Sequence, residues 1–131
     1  MGQTIAIISA LHEEQAGLLA LMPGQRPERL GGREFWRGQL QGHEVIAVLS
    51  GIGKVAAATT TAVLMERFQP QQVIFTGVAG GIASGVAVGD IVVGNSYLQH
   101  DMDASLLFRR PPISALGRSR SPARPGLLAL M

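Results

Sequence analysis

Three β-branched, apolar runs each lead directly into a short uncharged stretch bearing Ala or Gly, and this repeated pairing constrains the fold most. Gln3 to Ser9 (QTIAIIS) runs into Ala10-Leu11, Glu44 to Ser50 into Gly51-Ile52-Gly53, and Val73 to Thr76 into Gly77-Val78-Ala79-Gly80-Gly81. Runs of this kind suit strands covered on both faces, as in a sheet flanked by helices. Helical spacing fills the intervals. His12 to Leu21 places Ala16, Leu19 and Ala20 at apolar positions, with Glu13 and Glu14 in the first turn, where acids favour the helix dipole. Pro23-Gly24 closes that helix. Lys54 to Phe68 forms a second, with Val55, Ala58, Ala62 and Met65 on one face, and Pro70 stops it. Arg33 to Leu40 meets Glu44 to Ser50 across Gln41-Gly42, which predicts an antiparallel hairpin. Ile91 to Leu98 reads as a further strand. The order β-α-β-β-α-β-β defines an α/β domain: a mixed, twisted sheet with flanking helices.

Composition narrows the class. A chain of 131 residues with 47% hydrophobic and 15% charged residues is no solvated disordered chain, and its length suits one domain. The absence of Cys removes a disulfide framework, a thiolate metal site and a Cys nucleophile. The longest uncharged stretch, Val73 to Gly89, is broken by Gly77, Gly80, Gly81 and Gly85, so it reads as strand and loop rather than a membrane span. No charged segment precedes the first apolar run, as a secretory signal requires, and the expectation is a cytoplasmic protein with no membrane partner. Six basic residues face nine acidic ones up to Asp103, whereas five Arg and no acid follow. That Arg/Pro/Ser tail lacks interleaved aromatics beyond Phe108, so a solvated loop is favoured over a nucleic-acid arm. The expected organisation is one partial domain over 1–131, with sheet and helices in 1–99 and a loop-rich tail in 100–131. The closing GLLALM, Gly126 to Met131, resembles the first turns of a helix cut short, which points to a truncated domain.

Several motifs have competing explanations. Ser50 to Ala58 (SGIGKVAAA) places Gly51, Gly53 and Ala56 as in a dinucleotide fingerprint, but Val73-Ile74-Phe75-Thr76 holds no acid where the ribose contact belongs. It is no P-loop either, since Val48 stands at the first Gly position and Val55 follows Lys54. Close helix–sheet packing explains those glycines as well. Thr76 to Asp90 is glycine-dense and suits either packing or backbone approach to a ligand. In an open α/β sheet, ligands gather at the carboxyl ends of strands. The three strand tips would offer an apolar, backbone-rich wall, suited to a flat heterocycle or a sugar and poor for a phosphate. His12-Glu13-Glu14 opens like a zincin helix, but Ala16 occupies the second His position, so no metal is expected there. One of the two acids can instead serve as a general base, the alternative being a solvated helix face. His100-Asp101-Met102-Asp103 crowds its ligands into one loop and is read as a surface or interface loop.

At these residues the sequence resembles the 5′-methylthioadenosine/S-adenosylhomocysteine nucleosidases of the nucleoside phosphorylase superfamily. IAIISALHEE, SGIGKVAAA, TGVAGG, and VGDIVVG followed by HDMDAS match in order, over about residues 4 to 120. The resemblance implies the N-terminal half of a three-layer fold and hydrolysis of an adenine N-glycosidic bond, with no cofactor. It implies that Glu14 activates the water, that Ala10 and Leu11 lie near ribose and water, and that Ile52 lines the alkylthio pocket. Val78, Ala79 and Gly80 would meet ribose and base, with Val78 replacing a Ser of some members. HDMDAS resembles a loop near a dimer interface, implying a homodimer. The family's leaving-group Asp and ribose-binding Glu belong to a later segment, and no Asp or Glu follows Asp103 here. These 131 residues alone are therefore expected to be inactive or nearly so. A phosphorylase of the same superfamily and a non-catalytic dimerisation module are the alternatives.

Overall fold

Strand β1 (Thr4–Ser9) lies inside a five-stranded sheet, because it pairs in parallel with a strand on each side. One neighbour is β4 (His43–Leu49) and the other is β5 (Gln72–Phe75), in the spatial order β2-β3-β4-β1-β5. Here β2 is Arg26–Leu30 and β3 is Arg33–Leu40, and the pairs β2/β3 and β3/β4 are antiparallel. The expected mixed sheet is thus present. Its hairpin turns at Gln41 and Gly42, both with positive φ (49° and 80°), the backbone that matches strand twist in a two-residue turn.

This computed structural model describes residues 3–101 and 121–122. The chain divides into two compact units, Met1–Gly80 and Gly81–Met131. In the first, helix α1 (His12–Ala20) covers one sheet face, where Met22, Val45 and Ala47 are buried beside Ile5, Ile7, Leu18 and Trp36. Gly38 leaves room there, since a Cβ would stand 3.0 Å from Met22 Cε. Helix α2 (Lys54–Phe68) covers the opposite face over Ala6, Ile8, Phe35, Ile46 and Val48. The Phe35 and Phe68 rings meet there at 5.1 Å. Strand alternation sends successive residues to opposite faces, so a strand apolar throughout serves both layers.

Helix α2 is rotated from the face read in the sequence. On α2 the buried residues are Thr60 and Leu64, while Val55, Ala58, Ala62 and Met65 are exposed. On α1 Leu19 packs on the core beside Leu18 and Gln15 is buried, while Ala16 and Ala20 face outward. Small and apolar residues surround α2 on all sides, so period alone does not select the packed stripe.

Strand β2 carries no strand pattern in its sequence. Its RPERL is charged and holds a Pro, features that suit an edge strand, and Gly31-Gly32 turn it into β3 with positive φ at both. The strand expected at Ile91 to Leu98 reduces to β6 (Ser96–Tyr97), paired with β7 (Ser121–Pro122) in the second unit. Ile91 and Val92 are exposed and outside any ladder; without a partner backbone, a β-branched run is no strand. The helix expected at Gly126 to Met131 lies outside the described residues.

Candidate active site

The parallel strands β4, β1 and β5 end at one edge of the sheet, so their three apolar tips come together there. Backbone bonds hold them in line. Ser50 N–H donates to Ser9 O at 2.8 Å, and Thr76 N–H donates to Ile8 O at 2.9 Å. Helix α1 starts at this edge because its chain leaves β1 through only Ala10 and Leu11. Glu13 and Glu14 stand in its first turn, and helical geometry sends only Glu14 back toward the strand ends.

The Glu14 carboxylate joins two tips. Its Oε2 accepts the Ala10 and Leu11 N–H groups, each at 2.9 Å, and its Oε1 accepts the Val78 N–H at 3.0 Å. The Leu11 bond is one half of a capping box, with Glu14 reaching back to the residue that precedes the helix. Leu11 has no side-chain oxygen to return it. The Val78 bond is the tertiary one, spanning 64 positions of sequence. These N–H groups favour the charged form, Val78 most and then Leu11, and hold the carboxyl below its ordinary pKa against an opposing desolvation. Glu14 is therefore ionised at neutral pH. A carboxylate offers about four acceptor positions. With three taken, the remaining one is on Oε1.

Gly77 makes the approach possible. A Cβ there would stand 2.9 Å from Glu14 Oε1 and 3.2 Å from Cδ, so a side chain would displace the carboxylate. The displaced group is the end of a flexible side chain, and Gly77→Ala is expected to change stability by no more than about 1 kcal/mol. Misplacement by an ångström can cost about 10²-fold in a positioned reaction. The expected crystallographic result is a Glu14 Oε1 to Val78 N distance beyond hydrogen-bonding range, with the sheet unchanged.

Of the residues expected at the site, Ala10, Leu11, Glu14 and Val78 are joined by hydrogen bonds. Ile52, 80% exposed, stands at the β4 tip, and Ala79 and Gly80 follow Val78 on the exposed β5 tip. Gly77 was legible only as one member of a glycine cluster. Its particular role depends on where Glu14 reaches.

A hollow of about 230 Å³ lies at the opposite, amino-terminal end of the parallel strands, lined in part by Thr4, Glu28, Arg37, Glu44 and Arg67. Its charges are already matched. Arg37 pairs with Glu44, Arg67 with Glu28 at 2.9 Å, and Thr4 Oγ1 donates to Glu44 Oε2 at 2.7 Å. These are partly exposed ion pairs, of modest energetic worth. Among the described residues no cluster of three or more His, Cys, Asp or Glu is placed to hold a metal ion, and no helix is long and apolar enough to cross a membrane.

A carboxylate held by strand-tip amides at a sheet edge is a feature that can be compared between proteins. The sequence model of the phosphorylase superfamily matches residues 4–131. The chain belongs to the phosphorylase superfamily. Within that superfamily it is similar to a 5′-methylthioadenosine/S-adenosylhomocysteine nucleosidase of Bacillus thuringiensis, with 46% identity over 101 residues, 77% of this chain and 44% of that protein. The S-adenosylhomocysteine nucleosidase of Streptococcus pyogenes, solved with 5-methylthiotubericidin, superposes with a TM-score of 0.92 at 35% identity, over 98% of this chain and 55% of that one. The Colwellia psychrerythraea nucleosidase, solved with adenine, gives 0.92 at 36% identity, over 98% and 53%. The mixed sheet with two flanking helices is thus the superfamily fold, and the chain spans about half the length of these relatives.

Proposed function

We propose that this chain supplies the water-holding half of a site that hydrolyses the N-glycosidic bond of a 5′-thioether adenine nucleoside, such as 5′-methylthioadenosine or S-adenosylhomocysteine. The supporting observation is Glu14: three backbone N–H groups fix its carboxylate, and one acceptor position is left on Oε1. A water donating to that position would stand at the sheet edge, among Ala10, Leu11 and the Val78–Gly80 tip. Departure of adenine leaves an oxocarbenium-like sugar, electrophilic enough that the water needs orientation more than a strong base. As the water oxygen bonds to C1′ and the C1′–N bond breaks, the water becomes acidic and passes a proton to Glu14. A carboxylate of depressed pKa suits that sequence, since it is ionised beforehand and accepts the proton only late.

The exposed Val78, Ala79 and Gly80 offer backbone and small side chains to ribose and base, and Ile52 offers an apolar contact to the alkylthio group. The protonation of the departing adenine falls to the family's later Asp, and the ribose hydroxyls to its later Glu, neither of which has a counterpart after Asp103. A homodimer belongs to the same reading. It is supported by the exposed stripe Val55, Ala58, Ala62 and Met65 on α2, where two Ala allow another helix to approach closely, and a concentration-dependent monomer–dimer transition in sedimentation is its signature.

The test is adenine release from 5′-methylthioadenosine by a polypeptide carrying residues 4–100 of this chain as the first half of a complete superfamily fold. The expected rate is the same with and without inorganic phosphate, and the product is the free sugar. Release that requires phosphate, giving a sugar 1-phosphate, would identify a phosphorylase instead.

A further inference from the structure

Three N–H groups hold Glu14, but they belong to two separate pieces of chain, residues 10–11 and residue 78. Their spacing is correct only while the β1 and β5 tips stay a fixed distance apart. The regular β1/β5 ladder ends at Ile8 and Phe75. One rung further on, Ser9 and Thr76 stand opposite each other, and Ser9 Oγ meets Thr76 Oγ1 at 2.9 Å. Ser9 is 1% exposed and follows Ile5 and Ile7 on the α1 side of the sheet, the side from which Glu14 reaches. The next residue after Ser9 is Ala10, and Val78 follows Thr76 by two.

We propose that the Ser9–Thr76 hydroxyl pair is a positioning clasp, which fixes the separation of the β1 and β5 tips and so keeps the Val78 N–H within reach of Glu14 Oε1. This deepens the reading of Glu14 as the water-holding carboxylate and rests on it for its catalytic meaning. Neither hydroxyl touches Glu14, so both act through the backbone. The Thr76 N–H bond to Ile8 O alone leaves the tip beyond it free to pivot, because a single bond does not fix an angle. The side-chain bond supplies the second point of attachment. A buried hydroxyl that loses its partner also pays a desolvation cost, which sets the clasp toward closure.

The experiment uses the 131-residue chain and reads Glu14 directly. Ser9→Ala and Thr76→Val each remove the pair, whereas Thr76→Ser keeps it. Amide hydrogen exchange at Val78 is expected to accelerate by roughly tenfold in the first two, the scale of one ordinary hydrogen bond, and to stay at the wild-type rate in Thr76→Ser. The Glu14 side-chain carboxyl, followed by carbon NMR, should titrate at higher pH in the same two variants and unchanged in the third. Unaltered Val78 exchange in Ser9→Ala and Thr76→Val would overturn the clasp. Equal acceleration at core amides such as Ile7 and Ala47 would overturn it too, by showing that the hydroxyls serve general stability. These readouts do not involve hydrolysis, so their failure is distinct from an intact Glu14→Gln enzyme, which would count against the assigned base.

Discussion

Glu14→Gln, placed in a complete superfamily fold whose first half is this chain, is expected to lower adenine release by roughly 10²–10⁴-fold, the range of one acid–base group. The amide of Gln is nearly isosteric, and its oxygen can accept from Val78 N–H or from the Ala10 and Leu11 pair. What it lacks is the negative charge and a site to receive the proton of the attacking water. The loss should fall on kcat more than on KM, because the missing interaction is made chiefly as the water attacks. Turnover within about threefold of the parent would remove Glu14 from the mechanism. The same substitution has a pH signature. The folded pKa of Glu14 is held down by Val78, Leu11 and Ala10, so the stability it confers is complete above its unfolded pKa. That stability disappears as pH falls through the lower folded value. Urea unfolding followed from neutral into acid conditions should therefore show a shallower acid limb in the Gln variant than in the parent.

A polypeptide of these 131 residues, purified alone, is expected to release adenine from 5′-methylthioadenosine at least about 10²-fold more slowly than the nucleosidases it resembles. The reason is the acid inventory. All nine Asp and Glu fall at or before Asp103, and the residues nearest Glu14 by hydrogen bonding offer only backbone amides. Adenine is a poor leaving group unless its ring nitrogen is protonated, and nothing at the three strand tips provides that proton. The open side of the edge adds a second loss, since Ile52 and Val78 stand 80% and 85% exposed and restrain a ligand from one side only. A coupled assay for free adenine measures this directly. A rate equal to that of a full-length nucleosidase would show that the chain finds its acid elsewhere.

Apart from β2, the strand and helix order of the first unit was legible because β1, β4 and β5 are apolar in uninterrupted runs and their tips are uncharged and hold Ala or Gly. The Gln41-Gly42 turn was likewise legible from the residues that such a turn demands. β2 was not. A charged segment with a Pro carries little strand signal of its own and is held by the backbone of β3, so its identity lies in its neighbour. Ile91 to Leu98 failed in the opposite sense, with strong local preference and no adjacent backbone over most of its length.

Glu14 shows where the boundary falls. Local sequence placed an acid in the first turn of a helix directly after a strand, and a family resemblance chose it over Glu13. The contact with Val78 and the need for glycine at position 77 depend on β1 and β5 being neighbours, which no short window of sequence contains. The rotation of α2 has the same origin. A repeat of 3.6 residues fits more than one stripe on α2, and only packing of Leu64 and Phe68 over Ile8, Phe35 and Val48 selects the buried one. By itself the sequence determined which segments could be strands, helices and tips, since those choices rest on local backbone preference and apolar period. Which faces meet, and which three amides surround one carboxylate, was decided by tertiary structure, because those distances join residues far apart along the chain.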